Sequence, residues 1–333
     1  MKNFNPTFFL CVIFCNILLH AQFSPVQFKY QDFGYHQQPE KVEIKRYSHE
    51  KGKPILTETE IQIYNDEGNI KTITTIFHEE NDGQKTTTKY TYENGLPKYE
   101  ATKNTVWRNL NNTSVFFWND KKQIEQWENY ADGHEEIRNF FYNKSGKIYT
   151  VEGTINGEKI KETYFVNHFG ETYLITAAHH IAPGESNFST QLFHKGNPVA
   201  EYMNKGTHIF IQAVSEDSDI KFSAKNDDIV LPELEKFQHH LYSDESTTNE
   251  MNQKLLKWGR DQNKFKLFSQ TYFQRNQFGD LMSSAKMDFP FSGDIYFEFY
   301  TIHYADGTIS QNDFEEEKVN FYKQKAETIL KKQ

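Results

Sequence analysis

From Val42 onward the chain alternates apolar and polar residues with a period of two. Val42-Glu43-Ile44-Lys45-Arg46-Tyr47 sets the pattern; Ile55, Thr57, Thr59, Ile61 and Ile63 continue it, and Thr86, Thr88, Tyr90 and Tyr92 share one face further on. Successive side chains of a strand point to opposite sides, so this spacing predicts β-strands with one buried face. The runs break at Lys51-Gly52-Lys53-Pro54, Asn65-Asp66-Glu67-Gly68, Asn81-Asp82-Gly83 and Asn94-Gly95. Asn, Asp and Gly tolerate the positive φ of tight hairpin turns, so each break is read as a turn.

The glycines give the period. Gly68, Gly83 and Gly95 are 15 and 12 apart, and Gly133, Gly146, Gly157 and Gly170 are 13, 11 and 13 apart. Two steps make a hairpin unit of about 25 residues, the length of one supersecondary repeat. Aligned on their turns, the units read Tyr64-Asn65-Asp66-Glu67-Gly68-Asn69-Ile70, Tyr92-Glu93-Asn94-Gly95-Leu96, Trp118-Asn119-Asp120-Lys121-Lys122-Gln123-Ile124, Tyr142-Asn143-Lys144-Ser145-Gly146-Lys147-Ile148 and Phe193-His194-Lys195-Gly196-Asn197-Pro198-Val199. An aromatic enters each turn and an aliphatic leaves it. Phe278-Gly279-Asp280-Leu281 and Tyr304-Ala305-Asp306-Gly307-Thr308-Ile309 look like late copies. Such repetition predicts units that pack on their neighbours in sequence.

This aromatic-Asn/Asp-x-x-Gly-x-aliphatic pattern resembles the YD repeats of RHS-type proteins and the MORN-variant repeats, over about residues 41 to 206 with echoes after 265. The resemblance implies a long antiparallel β-meander of hairpins. It carries no catalytic residues.

After Ala224 the period changes. Leu231-Pro232 opens a stretch with Leu234, Phe237 and Leu241 at helical spacing, and Thr247 and Glu250 form a capping-box pattern before Met251, Leu255 and Trp258, so two short helices are expected over 231–260. Near the end, Asp313 is placed to cap a helix whose buried stripe is Val319, Tyr322, Ala326 and Ile329 or Leu330. The expected fold is mainly β, with a meander over 22–224 and further hairpins, the helical insertion and the C-terminal helix over 225–333.

Residues 1–21 read as a secretory signal peptide: Lys2, the apolar run Phe8 to Leu19, then Ala21 as a small cleavage residue. The run is too short to span a bilayer, so no transmembrane segment is expected after cleavage. Both cysteines, Cys11 and Cys15, lie in this leader, which leaves the exported chain without disulfides or thiolates. Without Lys2 there remain 36 basic and 46 acidic residues, a balance that argues against nucleic-acid partners. Aromatics make up 16% of the chain, yet its mean hydropathy is −0.79, as suits pleated sheets with wet faces.

Tests for hydrolase, zinc-helix, phosphate-loop and dinucleotide motifs are empty, so no cofactor is expected; an active site assembled from distant single residues would leave no such motif, and an enzyme stays the less expected reading. His168, His180 and His194 are weak metal candidates, since adjacent His179 and His180 face opposite ways on a strand. The aromatics Trp107, Phe117, Trp118, Trp127 and Tyr130 cluster in the middle of the array and are the candidate binding residues. Aromatic rings on a sheet can stack on sugars or accept a partner's apolar side chains. The expected function is an exported binding or scaffolding protein that meets an envelope protein or a glycan. The competing readings are a hydrolase or toxin-like enzyme with His239, His240, Asp244 and Arg260 near the 226–260 segment, and a passive envelope component.

Overall fold

The computed structural model describes residues 26–50, 53–78, 83–106, 111–166, 172–182, 185–194, 197–203, 208–214, 217–225, 266–289 and 294–330; from 165 to 214, Ile175 excepted, and at 50, 224, 225 and 330 it describes the backbone path. The leader and the two helices expected over 231–260 lie outside the described residues, as does the candidate site with His239, His240, Asp244 and Arg260.

Nineteen strands occur among the described residues. The first ten are β1 (Pro39–Glu50), β2 (Lys53–Tyr64), β3 (Ile70–Phe77), β4 (Lys85–Glu93), β5 (Leu96–Asn104), β6 (Asn112–Trp118), β7 (Ile124–Ala131), β8 (His134–Tyr142), β9 (Ile148–Ile155) and β10 (Glu158–Val166). There follow β11 (Thr172–Ala182), β12 (Glu185–His194), β13 (Asn197–Met203), β14 (His208–Val214), β15 (Ser218–Lys225), β16 (Lys266–Arg275), β17 (Leu281–Asp288), β18 (Ile295–Tyr304) and the short β19 (Ile309–Gln311), before one helix, α1 (Glu316–Leu330). Each strand pairs antiparallel with the next, as a meander requires. The meander then closes: β18 pairs with β1 from Pro39↔Tyr304 to His49↔Ile295. Eighteen strands therefore form a ring, and β19 covers the end of β18 beyond β17.

One turn design recurs at one end of the ring. Asn65, Asn119, Asn143 and Asn276 each accept at their carbonyl the N–H of the residue three positions on, which has positive φ: Gly68, Lys122, Gly146 and Gly279. Their side-chain Oδ1 atoms accept two more backbone N–H groups, at positions +2 and +4, with distances of 2.8–3.1 Å. This is a turn followed by a left-handed residue, the design that produces a bulge in the adjoining strand pair. The ladders shift register there, between Ile63 and Tyr64, Phe117 and Trp118, and Phe141 and Tyr142. The bulge sets Tyr64 opposite Ile70, Trp118 opposite Ile124 and Tyr142 opposite Ile148, so the entering aromatic and leaving aliphatic share a face. The polar tip of the aromatic then reaches back one hairpin. Tyr92 Oη donates to the Ile70 carbonyl, Trp118 Nε1 to Pro97 at 2.7 Å and Tyr142 Oη to Ile124 at 2.7 Å. Burial that desolvates the phenol lifts the Tyr142 pKa to about 12, so this donor keeps its proton.

One buried cluster collects side chains from β1 through β11 and from β17 and β18, which marks that face as the inside of the ring. The N-terminal segment 26–38 lies on it as a strap. Phe28 rests with its ring 6.1 Å from Trp118 and 6.4 Å from Tyr92, and the backbone of Phe28 and Tyr30 bonds Ile70 and Gly68. Farther along, Tyr35 Oη donates to Gln62, His36 N–H to the buried Asp280 and Gln37 to Asp306. On the opposite face α1 covers β17 and β18: Val319, Tyr322 and Ala326 are buried against Ala285, Met287, Phe297 and Phe299. This is the stripe expected from the sequence, although the helix begins at Glu316 and Asp313 accepts from Gln311 Nε2.

Between β4 and β10 the outer face carries charged as well as aromatic side chains. Lys89, Glu152, Lys159 and Lys161 are exposed there, beside the inward Tyr90, Val151 and Ile160, and Lys161 pairs with Glu152 at 2.8 Å. Among the described residues no helix is long and apolar enough to cross a membrane.

Gly68 is the tightest point of strap and turn. It has φ +76°, and an added Cβ would stand 2.7 Å from the Tyr30 ring, whereas the space around Gly95, at φ +77°, is open. Gly95→Ala should cost about 1 kcal/mol from backbone strain alone, and Gly68→Ala about 3 kcal/mol because the strap must also shift. Urea melts of the two variants test this, and equal losses would show that the strap does not press on the turn.

Candidate functional site: an outer aromatic strip over ion-paired inner centres

Two guanidinium centres pin the inner face. Arg46 on β1 donates from Nε to Glu298 at 3.0 Å, from Nη1 to Glu58 at 3.3 Å and from Nη2 to Glu60 at 2.9 Å. Glu298 also accepts from Ser284 and Tyr300, while Glu60 accepts from Gln62, whose Oε1 takes the hydroxyls of Tyr64 and Tyr35. The network thus ties β1, β2, β17, β18 and the strap. Burial opposes the Arg46 charge, but Glu60, Glu298 and Glu58 outweigh it and raise its pKa. Three carboxylates around one cation leave an excess of negative charge, and burial raises the Glu58 pKa.

Arg138 on β8 repeats the arrangement with fewer partners. It binds Glu136 and Glu162, Tyr164 Oη donates to Glu162 at 2.7 Å, and the guanidinium lies 5.6 Å from the Trp127 ring centre. Gly153 stands opposite Arg138, and a Cβ there would fall 1.8 Å from the Ile137 carbonyl oxygen, so the strands approach closely at this centre. These carboxylates are engaged in ion pairs and hydrogen bonds that hold the ring.

Glu100 on β5 differs. Its neighbours across the strands are Tyr90 and Ser114, and among the described residues its carboxylate has no hydrogen bond or ion pair. Burial lifts its pKa to about 7. It holds a proton near neutrality but has only hydroxyl-bearing neighbours across the sheet.

The five aromatic candidates do not form one platform. Trp118 and Trp127 belong to the inner face, where the first donates to Pro97 and the second lies under Arg138. Both are partly buried there, on the side of the sheet opposite Phe117 and Tyr130. Phe117 and Tyr130 point outward, 42% and 40% exposed, and Trp107 lies outside the described residues. The split follows from strand geometry: Phe117 and Trp118 are consecutive, so they face opposite ways. Outward Tyr99 (42%) and Phe141 (40%) extend the exposed aromatics over four successive strands, β5 to β8. The same alternation signals both. Glu128 and Gln126 lie between them on β7, and Tyr130 Oη donates to Glu128 at 2.8 Å. His168 lies outside the described residues, and His180 and His194 have described backbone only, on β11 and β12. Among the described residues there is no group of three or more potential metal ligands.

No family model matches the chain, and no curated protein does. Among solved structures, a porin-like protein from Bacteroides uniformis aligns at 12% identity with a TM-score of 0.33, over 79% of this chain and 97% of that one. A porin-like protein from Bacteroides vulgatus aligns at 7% identity and TM-score 0.26, over 84% and 100%. TcdB2-TccC3 aligns at 12% identity and TM-score 0.32 over 82% of this chain, which spans 14% of that longer protein.

Glu100 gives a pH test. Its folded-state pKa is raised, so folding favours the protonated acid: the full stability is present below about pH 4.5 and is lost as pH rises through 7. At pH 8 the buried carboxylate costs on the order of 3 kcal/mol. Glu100→Gln should therefore melt with wild type at pH 4.5 and at higher temperature at pH 8. Coincident melts at pH 8 would mean that this carboxylate is solvated.

Proposed function

We propose that this chain is an exported, water-facing β-ring that binds or scaffolds at the cell envelope without turning over a substrate, and that its outer aromatic strip meets a glycan. The single observation that carries the reading is the set of outward rings Tyr99, Phe117, Tyr130 and Phe141 on β5 to β8. Amide and carboxylate side chains, Gln126, Glu128 and Asn139, alternate with them on the same face. Aromatic rings offer flat apolar surface to the C–H faces of sugars, and the intervening polar groups suit their hydroxyls. A greasy protein interface has a more continuous apolar centre. The reading is also supported by the leader pattern at residues 1–21.

Co-sedimentation of the mature chain with purified peptidoglycan and with envelope polysaccharide tests it. The triple change Tyr99→Ala, Phe117→Ala and Phe141→Ala should weaken binding at least tenfold, about 1.4 kcal/mol or more, with little change in melting temperature. Binding that survives the triple change, or no binding by wild type, contradicts the reading.

A further inference from the structure

Past Tyr92, on which the strap's Phe28 rests, a polar row crosses four strands of the inner face. Tyr90 on β4, Glu100 on β5, Ser114 on β6 and Asn129 on β7 are register partners in turn. Partners across an antiparallel pair stand about 4.5–5.5 Å apart at Cα, so the four side chains form one continuous line. Tyr90, Glu100 and Asn129 keep partial exposure although they face the interior, so open space lies over them, while Ser114 is buried between them.

The hydrogen bonds of this row leave acceptors short of donors. Ser114 Oγ gives its hydrogen to Asn129 Oδ1 at 3.3 Å and keeps its capacity to accept. The Glu100 carboxylate and the Tyr90 hydroxyl have no hydrogen bond among the described residues. Burial, and after it the Glu100 charge, raises the Tyr90 pKa, so this hydroxyl stays protonated and lies near the carboxylate without bonding it. Two residues before Ser114 on the same face, Asn112 Oδ1 is buried with no partner. Arg46 and Arg138 do not supply the missing donors, because Glu58, Glu60, Glu298, Glu136 and Glu162 engage them. Acceptors left unpaired away from water are destabilising, and a donor-rich cation relieves them. A primary ammonium carries three N–H donors and a compact positive charge on a narrow stem, which matches one carboxylate flanked by two hydroxyl oxygens. A calcium ion takes about six to eight oxygen ligands, more than this row offers.

We propose that the inner row is a binding site for a primary alkylammonium, whose N–H groups donate to Glu100, Ser114 Oγ and Tyr90 Oη. Its alkyl stem lies over the methyl groups of Thr88 and Thr102, whose hydroxyls bond each other at 2.9 Å. The site is on the side of the sheet opposite the outer aromatic strip and does not depend on that strip binding a glycan.

Saturation-transfer NMR titrations of the full chain at pH 8 with n-butylamine, and with n-butanol as its neutral counterpart, test the site. Butylammonium should bind, and butanol at least tenfold more weakly. Glu100→Gln keeps the size of the side chain and removes its charge, and should weaken butylammonium at least tenfold. Tyr90→Phe keeps the ring and removes one acceptor, and should weaken it about threefold. Glu135→Gln, exposed on the outer side of β8, should leave binding unchanged, which separates the site from a general attraction of cations to an acidic chain. No binding of butylammonium, equal binding of butanol, unchanged binding in the Glu100 or Tyr90 variant, or an equal loss in Glu135→Gln would overturn the proposal.

Discussion

The pairing of β1 with β18 is the contact on which the rest of this structure depends. It joins residues some 250 positions apart, as the Arg46–Glu298 hydrogen bond does, and it removes the two free edges that a long meander would otherwise leave open to other chains. By loop entropy it is also the costliest contact to form, because it closes over the greatest chain length. The protein concentrates interactions there. Val42 against Ile302 and Ile44 against Tyr300 bury the inner side, and the strap lies near them. Tyr47, Phe297 and Phe299 carry the outer side, against Phe314 and α1. The two ends of the chain thus clamp from opposite faces the seam where its first and last large strands meet.

The repeat supplies the rest of the ring at low local cost. Each Asn-initiated turn satisfies its own backbone, the bulges re-aim side chains inward, and at Trp118 and Tyr142 the aromatic tip secures the preceding hairpin. Because that rigidity comes from backbone and inward groups, the outward side chains are released from structural duty. This division is what makes an outward strip of rings available for binding, and it explains why Trp118 and Trp127 serve stability.

Much of this was legible in the chain. Period-two alternation located the strands, Asn and Gly located the turns, and the spacing of Val319, Tyr322 and Ala326 located the helix. Ring closure was not legible, because alternation identifies a strand's faces but says nothing of its partner 250 residues away. Glycine spacing also misses Lys122, which adopts φ +59° where Gly68 and Gly146 stand in sister turns. Bulges limit the reading too: each inserts one residue and reverses the face that simple counting assigns, as beyond Ile124 on β7. The Arg46 and Arg138 centres escape for a related reason. A lone Arg in an alternating strand reads as solvated until carboxylates are brought to it from other strands, three of them at Arg46 and Glu162 at Arg138, beside Glu136 of its own strand.

The seam can be tested by crosslinking Glu43→Cys to Thr301→Cys, register partners on the outer side of β1 and β18, with Cys11 and Cys15 replaced. Partners in an antiparallel pair have Cα atoms about 4.5–5.5 Å apart, within disulfide range. Under mild oxidation the folded chain should form the bond within one molecule, run as a monomer of altered mobility, and gain about 4 kcal/mol of stability from so long a closed loop. Thiols that stay free in the native protein, or that join only between molecules, would contradict the closed ring.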